Sequence, residues 1–243
     1  MREALVRWRG VGHATAGQQR WQALAAALRQ AQQTAQAAQS VFDNIHVQPF
    51  SVLGTQLHED NKITTKPTDA TTVIVDPAGD PIFARGEDAG GASGAIYAQY
   101  GSPPEWTTEQ EARLKAGFAV AHTYTNGVVI HVIGPKIHSA DTKNTFLHDL
   151  TQRYVSVLQT FCSLTQQKLR LLPISTGLFC TCKEVKPQLP SITASAVQQA
   201  LRHLSIQELH TLQSKTLNMC IYLKTEYELY KEAFDKLRQT STR

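Results

Sequence analysis

The sequence predicts an α/β protein with three layers, in which helices cover both faces of a central sheet. Four short runs are apolar on both faces, and the first of them is β-branched almost throughout, which is typical of strands buried on both sides. Stretches with helical periodicity lie between these runs and after the last one, as expected for a largely parallel sheet. The length of 243 residues and the apolar content of 42% allow one large core. The four runs are residues 71–75 (TTVIV), 128–135 (VVIHVIGP), 169–175 (LRLLPIS) and 217–223 (LNMCIYL).

The N-terminal segment predicts a helix that precedes the sheet. Residues 20–42 (RWQALAAALRQAQQTAQAAQSVF) are rich in Ala and Gln and contain few helix breakers. Five arginines stand against a single acid, Glu3, before Asp43, which is also the composition of a mitochondrial transit peptide, although serine is scarce. We therefore assign residues 1–44 to an N-terminal helical extension and 45–243 to the α/β domain.

The other elements follow from local patterns. Residues 45–53 predict a strand, and Pro49 suits it to a sheet edge. Residues 54–70 are polar and predict a loop. Residues 94–101 are helix-like, and Thr108 with Glu111 forms a capping box that opens a helix through about Ala116.

The C-terminal half predicts three or four further helices. Apolar residues recur every three or four positions along 145–166, which predicts one buried helix face. Residues 194–204 predict another helix, and 206–212 either extend it or form a separate one. Residues 225–237 predict a closing amphipathic helix.

Composition narrows the function. The net charge of +4 is small for this length, and no aromatic platform is interleaved with the basic residues, so the pattern does not favour nucleic-acid binding. No apolar run is long enough for a membrane helix, and we expect no membrane partner.

The cysteines bear on metal binding and location. Cys180 and Cys182 lack the Cys-x-x-Cys spacing of zinc sites, so we expect free thiols in an intracellular protein, either cytoplasmic or nuclear, with mitochondria as the alternative.

Two predicted strand ends carry small residues suited to an anion. Gly90, Gly91 and Gly94 lie just before or inside the first turn of a helix, where backbone N–H groups can reach a phosphate. The run from Ser175 to Phe179 follows the third buried strand. Each loop alone fits an ordinary turn equally well, but together they predict a clamp for a diphosphate. His131, inside a buried strand, fits a hydrogen-bonded core residue better than a catalyst.

Four motifs in order resemble the macrodomain family. They are VIVDPAGD, AGGASGAI, VVIHVIGP and LLPISTGLF, against family motifs that read Val-Asn-Ala-Ala-Asn, Gly-Gly-Gly-Val-x-Gly-Ala-Ile, Ile-His-x-Val-Gly-Pro and Pro-x-Ile-Ser-Thr-Gly-Ile-Phe. The resemblance spans residues 45–237. It implies a mixed, mostly parallel sheet between helix layers and a cleft that binds ADP-ribose as a ligand, without a cofactor or metal.

The resemblance also implies which residues bind the ligand. The first diphosphate loop would be Gly90, Gly91, Ala92, Ser93 and Gly94, and the second loop would be Ser175, Thr176, Gly177, Leu178 and Phe179. Asp76, Ala78, Gly79 and Asp80 would complete the site, at and next to the family's Asn-Ala-Ala-Asn.

The sequence departs from the family at its catalytic positions. The second Asn of the family motif falls on Gly79, and the catalytic Asp of hydrolytic members falls on Ser93, which cannot act as a carboxylate base. Asp60 is the nearest candidate for recognition of adenine, although Lys62 directly precedes the Ile-Thr pair there.

Three functions follow from this pattern. We expect a recognition module for ADP-ribose or a related ADP-ribosyl nucleotide, with an ADP-ribosylated protein as partner. The alternative is an ADP-ribosyl hydrolase, acting on ADP-ribosylated protein, O-acetyl-ADP-ribose or ADP-ribose phosphate, with Asp76, Asp80 or Glu87 as an unusual base. A third possibility is a scaffold that has lost the ligand. The sequence does not indicate an oligomeric state.

Overall fold

The structure is a computed structural model that describes residues 16–57, 63–65, 68–79, 89–102, 105–177 and 179–240. The strands are β1 (His46–Gln48), β2 (Thr55–Leu57), β3 (Ile63–Thr65), β4 (Thr72–Asp76), β5 (Val120–Tyr124), β6 (Gly127–His131), β7 (Lys168–Leu171) and β8 (Thr216–Cys220). The α-helices are α1 (Ala16–Asp43), α2 (Gly91–Tyr100), α3 (Thr108–Lys115), α4 (Lys143–Cys162), α5 (Leu189–Arg202), α6 (Ile206–Gln213) and α7 (Lys224–Thr240).

Six strands form one mixed, mostly parallel sheet, as predicted. Their order is β1-β8-β7-β4-β6-β5, and only the β5–β6 pair is antiparallel. The four apolar runs supply β4, β6, β7 and β8, and β1 lies at an edge, as Pro49 suggested. Strand β5 was not predicted. The prediction that residues 54–70 form a loop was wrong, because they contain the antiparallel pair β2–β3, in which Thr55 lies opposite Thr65.

The central strand β4 separates two apolar layers. Val73 and Val75 face the layer that holds α1, α4, α5, α6 and α7, whereas Ile74 faces the layer that holds α2 and α3. All three side chains are fully buried. Side chains alternate along a strand, so an uninterrupted apolar run requires helices on both faces.

Helix α1 is anchored only near its C-terminal end. Phe42 is fully buried and stacks on Phe234 of α7, with 5.3 Å between ring centres. Residues 19–33 are exposed, among them Trp21 and Leu28. The last turns of α1 therefore belong to the core, and the boundary at residue 44 stays a prediction.

Three details of the helices differ from the expectations. The capping box lies one residue earlier: Thr107 Oγ1 accepts from Gln110 N, and Gln110 Oε1 accepts from Thr107 N, while Glu111 pairs with Lys115. Helix α4 ends at Cys162 rather than Gln166. Helix α6 is separate from α5 because Ser205 and Glu208 form a capping box of their own.

The four cysteines are free thiols, and three of them are buried. Within the described ranges, no helix is both long and apolar enough to cross a bilayer.

We expect Phe42→Ala to lower the free energy of unfolding by about 3–5 kcal/mol, because it removes a buried aromatic ring and leaves a cavity. Urea denaturation measures this. Leu28→Ala, on the exposed part of the same helix, is the control and should shift the stability by less than about 0.5 kcal/mol. Equal losses of unfolding free energy for both variants would contradict the conclusion that α1 is anchored near its C-terminal end.

Candidate functional site

The candidate site lies where three neighbouring parallel strands end. Strands β6, β4 and β7 are adjacent and point the same way, so the chain leaves all three at one edge of the sheet. The exits of β6 and β7 touch: a Cβ on Gly134 would lie 2.2 Å from Ser175 Oγ and 2.8 Å from Ile174 Cγ2. Because β4 lies between β6 and β7, this contact spans the end of β4. Only glycine fits at position 134.

The first loop enters α2 through glycines, and no side chain in the described part of the chain caps the helix. Gly90 is the N-cap in an extended conformation and makes no side-chain cap bond, and the first turn contains no acid. Gly91 has a φ of +62°, and a Cβ on Gly94 would lie 2.1 Å from the carbonyl oxygen of Ala89. The first N–H groups of a helix have no intrahelical acceptor. This helix start therefore presents bare donors to an anion.

The second loop contains a strained residue with an unsatisfied hydroxyl. Ser175 has a φ of +65° and is 4% exposed, and its Oγ has no hydrogen-bond partner among the described residues. A non-glycine residue in the left-handed region costs about 1–2 kcal/mol, and a buried unpaired hydroxyl adds to that cost. Strain of this kind concentrates at ligand sites.

The rest of the second loop opens towards solvent. Thr176 Oγ1 donates to the carbonyl oxygen of Pro173 at 3.1 Å. Gly177 is exposed, and a Cβ placed there would meet no atom within 4 Å. Phe179 is half-buried, with Lys136 Nζ at 5.3 Å from its ring centre.

Tyr154 of α4 holds the start of this loop. Its fully buried hydroxyl donates to the carbonyl oxygen of Leu172 at 3.0 Å and accepts from Ile174 N at 3.1 Å. Burial raises the pKa of Tyr154 well above its usual range, so the phenol stays neutral and serves as donor and acceptor at once.

A buried polar cluster lies beneath the first loop. The Asp76 carboxylate is completely buried and accepts from Ser93 Oγ at 2.5 Å and from Tyr97 OH at 2.8 Å. His131 Nδ1 lies 2.8 Å from Asp76 Oδ2, and Tyr124 OH lies 3.2 Å from His131 Nε2. Both carboxylate oxygens are therefore occupied by groups of the protein.

Aromatic rings enclose this cluster. Trp106 meets His131 edge-on, with 5.1 Å between ring centres, and Tyr124 meets His122 at 4.7 Å. Burial, and then the Asp76 charge, raises the pKa values of Tyr97 and Tyr124, so both remain phenols. Burial, and then the charge of His131, lowers the pKa of His122.

The structure brings most of the predicted site residues to this edge. Asp76 and Ala78 are buried, Gly79 is partly exposed, and Gly90 through Gly94 form the helix start. His131 is a buried, hydrogen-bonded residue, as its place in the strand indicated. Predictions for Asp60, Asp80, Glu87 and Leu178 lie outside the described residues. No three His, Cys, Asp or Glu side chains in the described ranges are grouped to hold a metal ion.

The cluster around Asp76 and its aromatic neighbours was not predicted from the sequence, although two sequence patterns point to parts of it. Ser93 and Tyr97 are four residues apart, so they share one face of α2. Asp76 and His131 each occupy the alternate positions of their strands that include Ile74 and Val129, and they pair directly across β4 and β6. Tyr154 and Trp106 come from distant elements and carry no such signal.

The comparisons with known proteins agree with this architecture. No protein-family model and no curated protein matches the sequence. A point mutant of the Oceanobacillus iheyensis macrodomain aligns at 19% identity with a TM-score of 0.51, covering 71% of this chain and 85% of its own. The same macrodomain with ADP aligns at 18% identity with a TM-score of 0.51, covering 71% and 90%.

This chain has the macrodomain fold. At this identity the likeness is one of fold. The chemistry of the site must therefore be argued from its own side chains.

We expect Tyr154→Phe to lower the free energy of unfolding by about 1–3 kcal/mol, because it leaves the Leu172 carbonyl and the Ile174 N–H without a partner. Thermal or urea unfolding measures the loss. Tyr222→Phe removes the hydroxyl of an exposed tyrosine and is the control. If both variants match the wild type, Tyr154 does not hold the loop.

Proposed function

We propose that this protein binds ADP-ribose or a related ADP-ribosyl nucleotide and serves as a recognition module for ADP-ribosylated protein. Two observations at the ends of the adjacent strands β4 and β7 carry the proposal: the glycine start of α2, which no described side chain caps, and the strained Ser175, whose hydroxyl has no partner among the described residues. The similar Oceanobacillus iheyensis macrodomain was solved with ADP, which supports a diphosphate ligand.

The first loop supplies donors for one phosphate. At Gly90 and Gly91 an added Cβ would meet no atom within 4 Å, so the ligand can approach the N–H groups of the first turn there, whereas Gly94 makes room for the carbonyl oxygen of Ala89. The positive end of the helix dipole adds to this attraction, and no acid in the first turn opposes it.

The second loop forms the side of the proposed diphosphate site opposite the first loop. Its backbone turns sharply at Ser175, and the Ser175 hydroxyl has no hydrogen-bond partner among the described residues. A phosphate oxygen or a ribose hydroxyl of the ligand would supply an acceptor for it. Gly177 leaves the space in front of the loop open, and Phe179 offers a half-buried ring to a sugar.

The described side chains favour binding over hydrolysis. A general base needs a carboxylate oxygen that is free to accept a proton from water. Both oxygens of Asp76 are already engaged and fully buried. Ser93 donates its hydroxyl to Asp76, and Gly79 has no side chain. A hydrolase would therefore have to use Asp80 or Glu87.

Isothermal titration with ADP-ribose tests the proposal. We expect saturable binding by the wild type and a loss of roughly 100-fold or more for Gly177→Glu, because the new carboxylate fills the cleft and repels the phosphates. Gln213→Glu adds the same charge on the exposed end of α6, near the opposite edge of the sheet, and should bind like the wild type. Absence of heat with ADP-ribose, ADP and poly(ADP-ribose) would sink the proposal.

A second measurement separates recognition from catalysis. The protein is incubated with ADP-ribosylated protein, and released ADP-ribose is measured. Recognition without hydrolysis predicts no release above the uncatalysed rate. Release that disappears in Asp80→Ala would overturn the recognition role in favour of the hydrolase.

A further inference from the structure

The Asp76 carboxylate is placed to affect ligand binding without touching the ligand. It holds Ser93 and Tyr97, one turn apart on α2, and so fixes the orientation of the helix start that presents the N–H donors. Asp76 is thus a positioning residue. It also brings a negative charge close beneath a site for an anion, which works against binding.

His131 is the counterion of that charge. The two residues pair directly across β4 and β6, and both side chains are fully buried. With neutral His131, Nδ1–H donates to Asp76, Nε2 accepts from Tyr124 OH, and the cluster carries one negative charge. With protonated His131, the charges cancel beneath the loop.

The other groups around His131 come from three further elements: Tyr97 on α2, Tyr124 and His122 on β5, and Trp106 before α3. Burial raises the pKa values of both tyrosines, which keeps them neutral, and lowers the pKa of His122, which favours its neutral form. With His122 neutral, the pair Asp76–His131 decides the net charge of the cluster.

We propose that a proton on His131 strengthens the binding of an ADP-ribosyl diphosphate by cancelling the charge of Asp76 beneath the first loop. This inference rests on the proposed function. Ligand binding and proton binding are then reciprocal: the nucleotide favours protonated His131, and acid favours the nucleotide. The protein would hold its ligand more tightly in an acidified environment.

The test is titration with ADP-ribose between about pH 6 and about pH 8.5, the range in which histidine commonly changes charge. ADP-ribose is the right probe because its diphosphate diester has no proton to lose there. For the wild type we expect roughly tenfold tighter binding at the acid end, the scale of one nearby unit charge. Titration in buffers of different ionisation enthalpy should show that protons are taken up on binding.

Two variants should move the affinity in opposite directions. Asp76→Asn removes the charge, so binding at about pH 8.5 should be roughly tenfold tighter than wild type, flat with pH and without proton uptake. His131→Gln leaves the charge uncompensated, so binding at about pH 6 should be roughly tenfold weaker than wild type and also flat. If Asp76 and His131 only hold the structure together, both variants should bind ADP-ribose more weakly than the wild type.

His138→Gln is the matched control. His138 is an exposed histidine hydrogen-bonded to Thr181, close to the second loop, and its removal should leave the pH dependence intact. Loss of the pH dependence in this variant would overturn the assignment to His131.

Wild-type binding that is flat with pH and takes up no protons would overturn the inference even if the variants fail to fold. Absence of ADP-ribose binding at every pH would instead sink the proposed function.

Discussion

The burial of β4 on both faces is the constraint on which the rest of the structure depends. Its side chains alternate between two apolar layers, so neither layer of helices can be removed without exposing the central strand. Neighbouring strands on both sides run parallel to it, and each crossover returns the chain to the same edge. The convergence of three loops at the carboxyl end of β4 is therefore a consequence of packing.

The last residue of β4 links that packing to the site. Asp76 continues the face of Ile74, so it reaches the α2 layer at the level of the helix start. One carboxylate can serve a helix, a neighbouring strand and the electrostatics of a ligand because it lies where all three meet. In the family motif that this stretch resembles, the corresponding residue is Asn, which is neutral. The exchange of an amide for an acid adds a buried carboxylate, and His131, whose Nδ1 lies 2.8 Å from Asp76 Oδ2, is the group placed to pair with it.

Much of the architecture was predictable from local patterns. Uninterrupted apolar runs predicted the four central strands, and helical periodicity predicted α4, α5 and α7. Strand β5 was missed because its half-buried residues, such as Ala121 and His122, show no clear alternation with the exposed Thr123. In the site, the positions of both loops followed from the buried strands that precede them, and their role in binding stays a prediction. The Tyr154 bonds, the Trp106 contact and the orphaned Ser175 hydroxyl were not predictable, since each depends on elements far apart in sequence.

The contact between the Trp106 indole and the His131 ring also affects fluorescence. The indole lies in van der Waals range of the His131 ring, and a protonated imidazole is a far stronger quencher of indole emission than a neutral one. Trp21, by contrast, is 72% exposed on α1 and reports only on solvent. Trp21 and Trp106 differ in environment and so in emission wavelength. If a proton binds His131 as proposed, Trp106 can report it optically without any attached label.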